Sequence, residues 1–308
     1  MTERHTATWA VIACVLFWGL SFISIKAALP VFPPMTLGLF RFAAALIFLF
    51  VIKLKFAPRE ALRFRDLPLL CGAGITGVTL YFFCENNGVA LVTASEASII
   101  TGAIPVLTMT AEWIGGRLSR SPSGIFPRER LGGRRWLGAA ISMAGVWMVA
   151  GVSFALSGSL LGYAYMGGAA LSWVAYCFLT RPLFARRGGG GGRIYIVFWQ
   201  SVFGAAAFLP FAIAEYPQWG RPDLPVLLHI LFLGICCSAL GYWLYAHSLE
   251  TLGVSVSSVF INFIPVVTVT AGFFILGERL TLLQWTGAAL VVGGVYLTMG
   301  REKRGGRS

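Results

Sequence analysis

The sequence predicts an all-α polytopic membrane protein, with ten transmembrane helices arranged as two inverted five-helix repeats around a central cavity. Three observations carry that expectation. Hydrophobic residues make up 57 % of the 308 positions and charged residues only 12 %, about half the charge density of soluble domains, roughly 25 %. The apolar residues gather into ten runs, each close to the ~20 residues that a helix needs to cross a bilayer. Finally, Trp, Pro and Gly recur at fixed offsets between the two halves of the chain. The mean hydropathy of +0.78 leaves no room for a sizeable soluble domain.

The runs lie at 8–28, 34–54, 67–87, 91–114, 135–151, 160–182, 194–214, 225–246, 254–276 and 281–299. The first could pass for a signal peptide, but Lys26 interrupts the cleavage zone and nine similar runs follow, so a retained helix is expected. Pro33-Pro34 separates the first two runs, and Gly188 to Gly192, flanked by arginines, reads as the most flexible linker. The fifth run is short and the turn after the eighth is small, so eight or nine spans is the alternative count. The 37 glycines suit helices that pack closely within a membrane.

The net charge of +12 invites a nucleic-acid reading, which the distribution of charge excludes. Arg4, the cluster Lys53 to Arg65, the cluster Arg117 to Arg135, the group Arg181 to Arg193 and the group Arg301 to Arg307 all fall on one side of an alternating topology. Together they hold 20 of the 24 basic residues. Positive charge marks the cytoplasmic side, so both termini are expected there. The six cysteines all lie in apolar runs without a C-x-x-C pair, which indicates neither a disulfide framework nor a zinc site.

The halves align around two prolines. Ile104-Pro105-Val106 matches Ile264-Pro265-Val266 at an offset of 160, with Thr108 and Thr110 matching Thr268 and Thr270. Trp136 and Gly138 match Trp285 and Gly287, Gly145 matches Gly294, and Trp18 and Lys26 match Trp173 and Arg181. Repeats of 8–151 and 160–300 are expected, followed by a basic cytoplasmic tail, 301–308. Because five is odd, the second copy enters the membrane inverted, as in many secondary transporters.

Phe17-Trp18-Gly19-Leu20-Ser21-Phe22, Thr93-Ala94-Ser95-Glu96-Ala97-Ser98, Ile264-Pro265-Val266 and Gly277-Glu278-Arg279-Leu280 together resemble the drug/metabolite transporter superfamily. More narrowly, they resemble its ten-helix EamA-type members, from about residue 9 to 300. One departure is plain: the first copy reads Gly115-Gly116-Arg117-Leu118 where Gly-Glu-Arg-Leu is usual, and a basic insertion follows it. The resemblance implies a secondary transporter of small metabolites in a prokaryotic inner membrane. Amino acids or related amines would be the exported class.

Motifs for other chemistry are absent or out of context. Gly72-Ala73-Gly74-Ile75-Thr76-Gly77 fits a dinucleotide fingerprint, but it lies in an apolar helical run without a preceding strand, so close packing is the reading. The three histidines are scattered, and no nucleophile, phosphate-loop or zincin motif occurs. No enzyme activity, metal, cofactor or nucleic-acid partner is expected. The sequence fixes no oligomeric state, and a monomer is compatible with it.

Charges at membrane depth cost roughly 2.5–3.5 kcal/mol even on translocon-based scales. Arg41, Glu85 and Glu96 fall at similar depth and so form a candidate cluster. They stand as either a structural ion pair or a carboxylate that meets substrate or a coupling proton. Glu112 and Glu278 read as interfacial. Trp18 and Ser21, Trp173 and Tyr176, and the counterparts Tyr81 and Tyr242 occur in symmetry-related places, which points to a cavity wall. Asn262 adds an amide near midplane. Pro105 and Pro265 are candidate gate or kink positions, whereas Trp9, Trp113, Trp136, Trp219 and Trp285 suit the aromatic belt.

An aromatic pocket with a few polar handles suits amphipathic solutes, and ring faces attract ammonium groups. The expected substrate-binding set is Trp18, Ser21, Tyr81, Glu96, Trp173, Tyr176, Tyr242 and Asn262. Large neutral or aromatic amino acids come first, with organic cations as the alternative for an efflux carrier and channel-like permeation as a third class.

Overall fold

The computed structural model describes residues 3–57, 61–92, 97, 100–118, 125–126, 132–149, 159–276 and 281–299. Glu96, Glu278 and the tail 301–308 lie outside them. Among the described residues all regular structure is helical. In chain order the rods are α1 (Glu3–Ala28), α2 (Pro34–Phe56), α3 (Phe64–Leu91), α4 (Ile104–Leu118) and α5 (Gly133–Val149). They continue as α6 (Leu160–Arg186), α7 (Gly190–Gln218), α8 (Leu224–Leu252), α9 (254–276, with a 3-10 turn at Phe260–Asn262) and α10 (Leu282–Met299). Among the described residues seven helices are long and apolar enough to cross a membrane: α1, α2, α3, α7, α8, α10 and, within α9, Val254–Ala271.

Local chemistry sets the ends. Pro34 opens α2, where its fixed φ suits the first turn and its missing N–H would have had no partner. The Ser159 hydroxyl accepts from Gly162 N at 3.1 Å to cap α6, and the Asp223 carboxylate accepts from Val226 N at 3.0 Å to cap α8. The five-glycine run is not a free linker. Its turn is made at Gly189, whose φ of 88° favours glycine, and Gly190 already starts α7. Gly192 sits so close to the Arg187 carbonyl that a Cβ there would strike it. The two marked prolines lie at helix breaks. Pro105 and Pro265 stand in the first turn of Ile104–Leu118 and Phe263–Leu276, each just after an interruption of the helix.

Two segments are wound more loosely, as π-helix, at Ile75–Leu80 in α3 and Phe232–Leu240 in α8. They occupy matching places in the two halves. A π-segment displaces the normal i→i+4 ladder and is often found at functional sites.

Packing pairs α1 with α8, α3 with α6, α2 with α7, α5 with α10, α1 with α9, α4 with α6 and α4 with α9. Exchanging the halves turns each pair into another or into itself. The α5–α10 crossing is reciprocal to the residue. A Cβ on Gly145 would lie 2.6 Å from the Gly287 carbonyl oxygen, and one on Gly287 would lie 2.7 Å from that of Gly145. Gly138 and Gly294 are related in the same way, at 2.7 and 2.5 Å. Such close approach is how helices associate where lipid removes the hydrophobic drive between them.

Candidate functional site

Trp18, Trp173, Tyr81 and Tyr242, which occupy corresponding places in the two halves of the sequence, converge on one cavity between α1, α2, α3, α4, α6, α8 and α9. Trp18, Ser21 and Phe22 come from α1, Arg41 from α2, Tyr81, Phe82 and Glu85 from α3, Trp173 from α6 and Tyr242 from α8. Thr101, Ile104, Ile261 and Ile264 complete the wall. Its free volume is about 20 Å³, room for about one water molecule.

Ring contacts close it. Trp18 and Trp173 meet edge to face at 5.1 Å, Tyr81 lies 5.0 Å from Trp173, and Tyr242 lies 6.1 Å from Trp18 and 5.6 Å from Trp173. These separations fall within the range where aromatic pairs attract beyond their buried area. Tyr245 reaches both tryptophans, at 5.1 and 5.4 Å.

The looser segments explain how the rings are anchored. Trp18 Nε1 donates to the Cys237 carbonyl at 2.9 Å, the Tyr242 hydroxyl donates to the Gly77 carbonyl, and the Ser172 hydroxyl donates to the Thr76 carbonyl at 2.6 Å. All three acceptors lie in the π-helical segments, where the altered ladder turns carbonyls toward neighbours. Buried backbone acceptors need partners, and the wall supplies them. Gly77 and Gly241 leave the space: a Cβ at Gly241 would come 2.7 Å from Trp18 Nε1, and one at Gly77 would meet the Tyr176 ring. Gly74 touches α7 in the same manner, so the dinucleotide-like glycines serve packing.

The polar groups divide. Arg41, 2 % exposed, donates from Nε to Ser238 Oγ at 2.6 Å, and its guanidinium lies 4.1 Å from the Phe82 ring centre. Glu85, 4 % exposed, accepts from the Tyr81 hydroxyl at 2.7 Å. Opposite charges thus share one aromatic cavity, although no direct ion pair joins Arg41 to any described carboxylate. Glu96, the third member of the expected cluster, lies outside the described residues. The Ser21 hydroxyl donates to its own helix, at Trp18 O, 2.7 Å away.

Two of the expected substrate contacts are placed elsewhere. Tyr176 is fully buried behind the wall, 4.9 Å from Trp173 and accepting from Gln200 Nε2 at 3.2 Å. Asn262 is fully buried and donates to Ser142 Oγ of α5 at 2.9 Å, a tie between helices. Glu112, expected near the interface, is packed inside the protein, 4 % exposed and accepting from the Ser255 hydroxyl. Trp219 is likewise drawn inward, donating to Thr36 Oγ1 at 2.8 Å and packing on Phe32 and Phe40.

Sequence reasoning missed Phe22, Phe82, Tyr245 and Ser238. Phe22 and Tyr245 had a local signal, lying one helical turn from Trp18 and Tyr242 on the same face. Ser238 had none, because its partner Arg41 is 197 residues away.

The model of the EamA-like transporter family matches residues 5–151 and again 160–300. The chain belongs to that family. It is 29 % identical to an uncharacterized transporter of Archaeoglobus fulgidus, over 94 % of this chain and 98 % of that one. It is 26 % identical to a probable terminal-alkyne amino-acid exporter of Streptantibioticus cattleyicolor, over 96 % of both chains. A probable amino-acid metabolite efflux pump of Escherichia coli is also 26 % identical, over 92 % of both. A solved crystal structure with 18 % identity superposes at a TM-score of 0.72, covering 95 % of this chain and 96 % of that one, and so has the same fold. This member of the EamA family is therefore a multi-pass membrane transporter of a small molecule, and its relatives carry transporter names rather than enzyme names.

Proposed function

We propose that the protein exports amino acids, large neutral and aromatic ones first, by alternating access across a prokaryotic inner membrane. The observation that carries this is the cavity's chemistry: aromatic walls with one buried guanidinium and one buried carboxylate. Arg41 suits a solute carboxylate, Glu85 an ammonium group, and the faces of Trp18, Trp173 and Tyr242 the apolar side chain. The two relatives with amino-acid names support the class. Free volume for one water means that a solute enters only when the wall parts, which favours a carrier over an open pore.

The symmetry of the helix pairings supports an inverted repeat of 8–151 and 160–300, with ten spans. Pro105 and Pro265 begin matching helical segments beside the cavity, where an end can swing without breaking a backbone hydrogen bond. The distribution of 20 of the 24 basic residues supports cytoplasmic termini. An impermeant maleimide applied outside should label Arg221→Cys and spare Gly190→Cys; the opposite pattern would overturn the orientation.

Efflux of organic cations is the second reading, favoured by Glu85 and the ring faces and opposed by the buried positive charge of Arg41. Proteoliposomes loaded with phenylalanine, alanine or phenethylamine separate the two. Trp18→Ala and Trp173→Ala should weaken apparent affinity for phenylalanine about tenfold, about 1.4 kcal/mol, and for alanine much less. Arg41→Gln should impair phenylalanine flux and spare phenethylamine. Flux of phenethylamine alone in the wild type would sink amino-acid export.

A further inference from the structure

Among the described residues Arg41 is the one cation in the wall of the aromatic cavity, and three contacts fix its position. At its backbone Gly234 of α8 packs so closely that a Cβ there would lie 2.7 Å from the Arg41 carbonyl oxygen. At its side chain Nε donates to Ser238 Oγ at 2.6 Å, and the guanidinium lies over the Phe82 ring, 4.1 Å from its centre. Gly234 and Ser238 are four residues apart in the π-helical segment Phe232–Leu240, so about one turn of α8 grips this residue at both ends. Ser238 is fully buried, and Phe82 is buried against Phe42 and Tyr81, with ring centres at 5.4 and 4.9 Å.

These contacts restrict what the guanidinium can still bind. An arginine presents five N–H donors in a rigid planar fork. A carboxylate meets that fork either side-on, at Nε and one Nη, or end-on, at the two Nη atoms. Ser238 holds Nε, which closes the first edge, and Phe82 covers one face of the plane. Neither Nη atom takes part in a hydrogen bond or ion pair among the described residues. Glu85 shares the cavity without touching them, its Oε1 accepting from the Tyr81 hydroxyl.

We propose that Ser238 and Phe82 are positioning residues, which leave Arg41 a single end-on fork that selects a planar carboxylate on the solute. The proposal rests on the export reading for the identity of the solute and deepens it by assigning how the carboxylate is held. Bidentate pairing fixes direction as well as charge, whereas a lysine ammonium in the same place would act as a point charge. Loss of the Ser238 hydroxyl leaves a buried N–H donor without its acceptor and lets the guanidinium turn on its stem. The site then keeps its charge and its volume but loses the orientation of its fork.

The test is equilibrium binding of radiolabelled L-phenylalanine and, separately, of radiolabelled phenethylamine to the whole protein in phosphatidylcholine nanodiscs. Ser238→Ala should weaken phenylalanine about tenfold and phenethylamine, which has no carboxylate, less than about twofold. Ser238→Thr keeps the hydroxyl and should stay within about threefold of wild type for both. Phe82→Leu removes the ring face and should weaken phenylalanine about fivefold, more than it weakens phenethylamine. Because Ser238 acts through Arg41, adding Ser238→Ala to Arg41→Gln should change phenylalanine affinity less than about twofold further. This double variant carries the test if phenethylamine binds too weakly to measure.

Equal weakening of both ligands in Ser238→Ala would make Ser238 a packing residue and overturn the fork. Unchanged phenylalanine affinity in that variant, independent losses in the double variant, or no phenylalanine binding to folded wild type would overturn it too. Binding that depends on Ser238 and Arg41, with no phenylalanine flux in proteoliposomes, would instead overturn the export reading and leave the fork standing. Phenylalanine flux and affinity that Ser238→Ala leaves intact would do the reverse.

Discussion

At its first turns α7 is held by charges of both signs, whereas at its last turns it is held by one carboxylate facing backbone amides. At the first end Arg187 Nε donates to Asp66 Oδ2 at 2.6 Å with both side chains buried, Arg186 stands 3.6 Å from the same carboxylate, and Arg193 pairs with Glu250 at 2.6 Å. Tyr195 of α7 joins them: its hydroxyl donates to Asp66 at 3.4 Å, and its ring lies 3.9 Å from the Arg187 guanidinium. At the other end Glu215 accepts from Met35 N at 3.2 Å, Thr36 N at 2.7 Å and Thr36 Oγ1 at 2.8 Å, capping α2 with a negative charge where the helix dipole favours one. The three donors, two of them first-turn amides that have no partner within the helix, tie the end of α7 to the start of α2.

The ranking of these ties can be broken by mutation. Asp66→Ala removes one member of a buried pair and should cost most, about 3–5 kcal/mol, read as a large fall in Tm in detergent. Glu215→Gln keeps the shape but loses the charge that three donors share, and about 1.5–3 kcal/mol is expected. A loss larger than that of Asp66→Ala would invert the comparison. Arg193→Gln breaks a half-buried pair and should cost about 1 kcal/mol or less. Its effect should shrink in high salt while that of Asp66→Ala persists; equal salt dependence would show that the two pairs are alike.

The positions of the helices were largely legible, because hydropathy reports burial in lipid directly. Predicted 34–54, 160–182 and 281–299 lie within a few residues of Pro34–Phe56, Leu160–Arg186 and Leu282–Met299. The π-helical turns were not, since neither Ile75–Leu80 nor Phe232–Leu240 contains a proline or any other local marker. They matter for the site because they rotate the residues that follow, which include Tyr81 and Tyr242. Internal symmetry brought Trp18, Trp173, Tyr81 and Tyr242 to notice without a structure. Tyr176, one turn beyond Trp173, packs against that ring but is fully buried, with its hydroxyl accepting from Gln200 of α7, a partner that the symmetry did not point to. Asp66–Arg187 and Arg193–Glu250 join residues 121 and 57 apart, and pairs so distant leave no periodic trace.

The reciprocal glycines of α5 and α10 carry a genetic consequence. A methyl group added at Gly145 presses on the backbone of Gly287, and one added at Gly287 presses on the backbone of Gly145. Either change prises apart the same crossing, so once the first has been accepted the second has little left to disturb. Neighbouring mutations of this kind are not additive. Double alanine variants at 145 and 287 should therefore show strong positive epistasis, and so should those at 138 and 294. In a deep mutational scan the four glycines would behave as two loci.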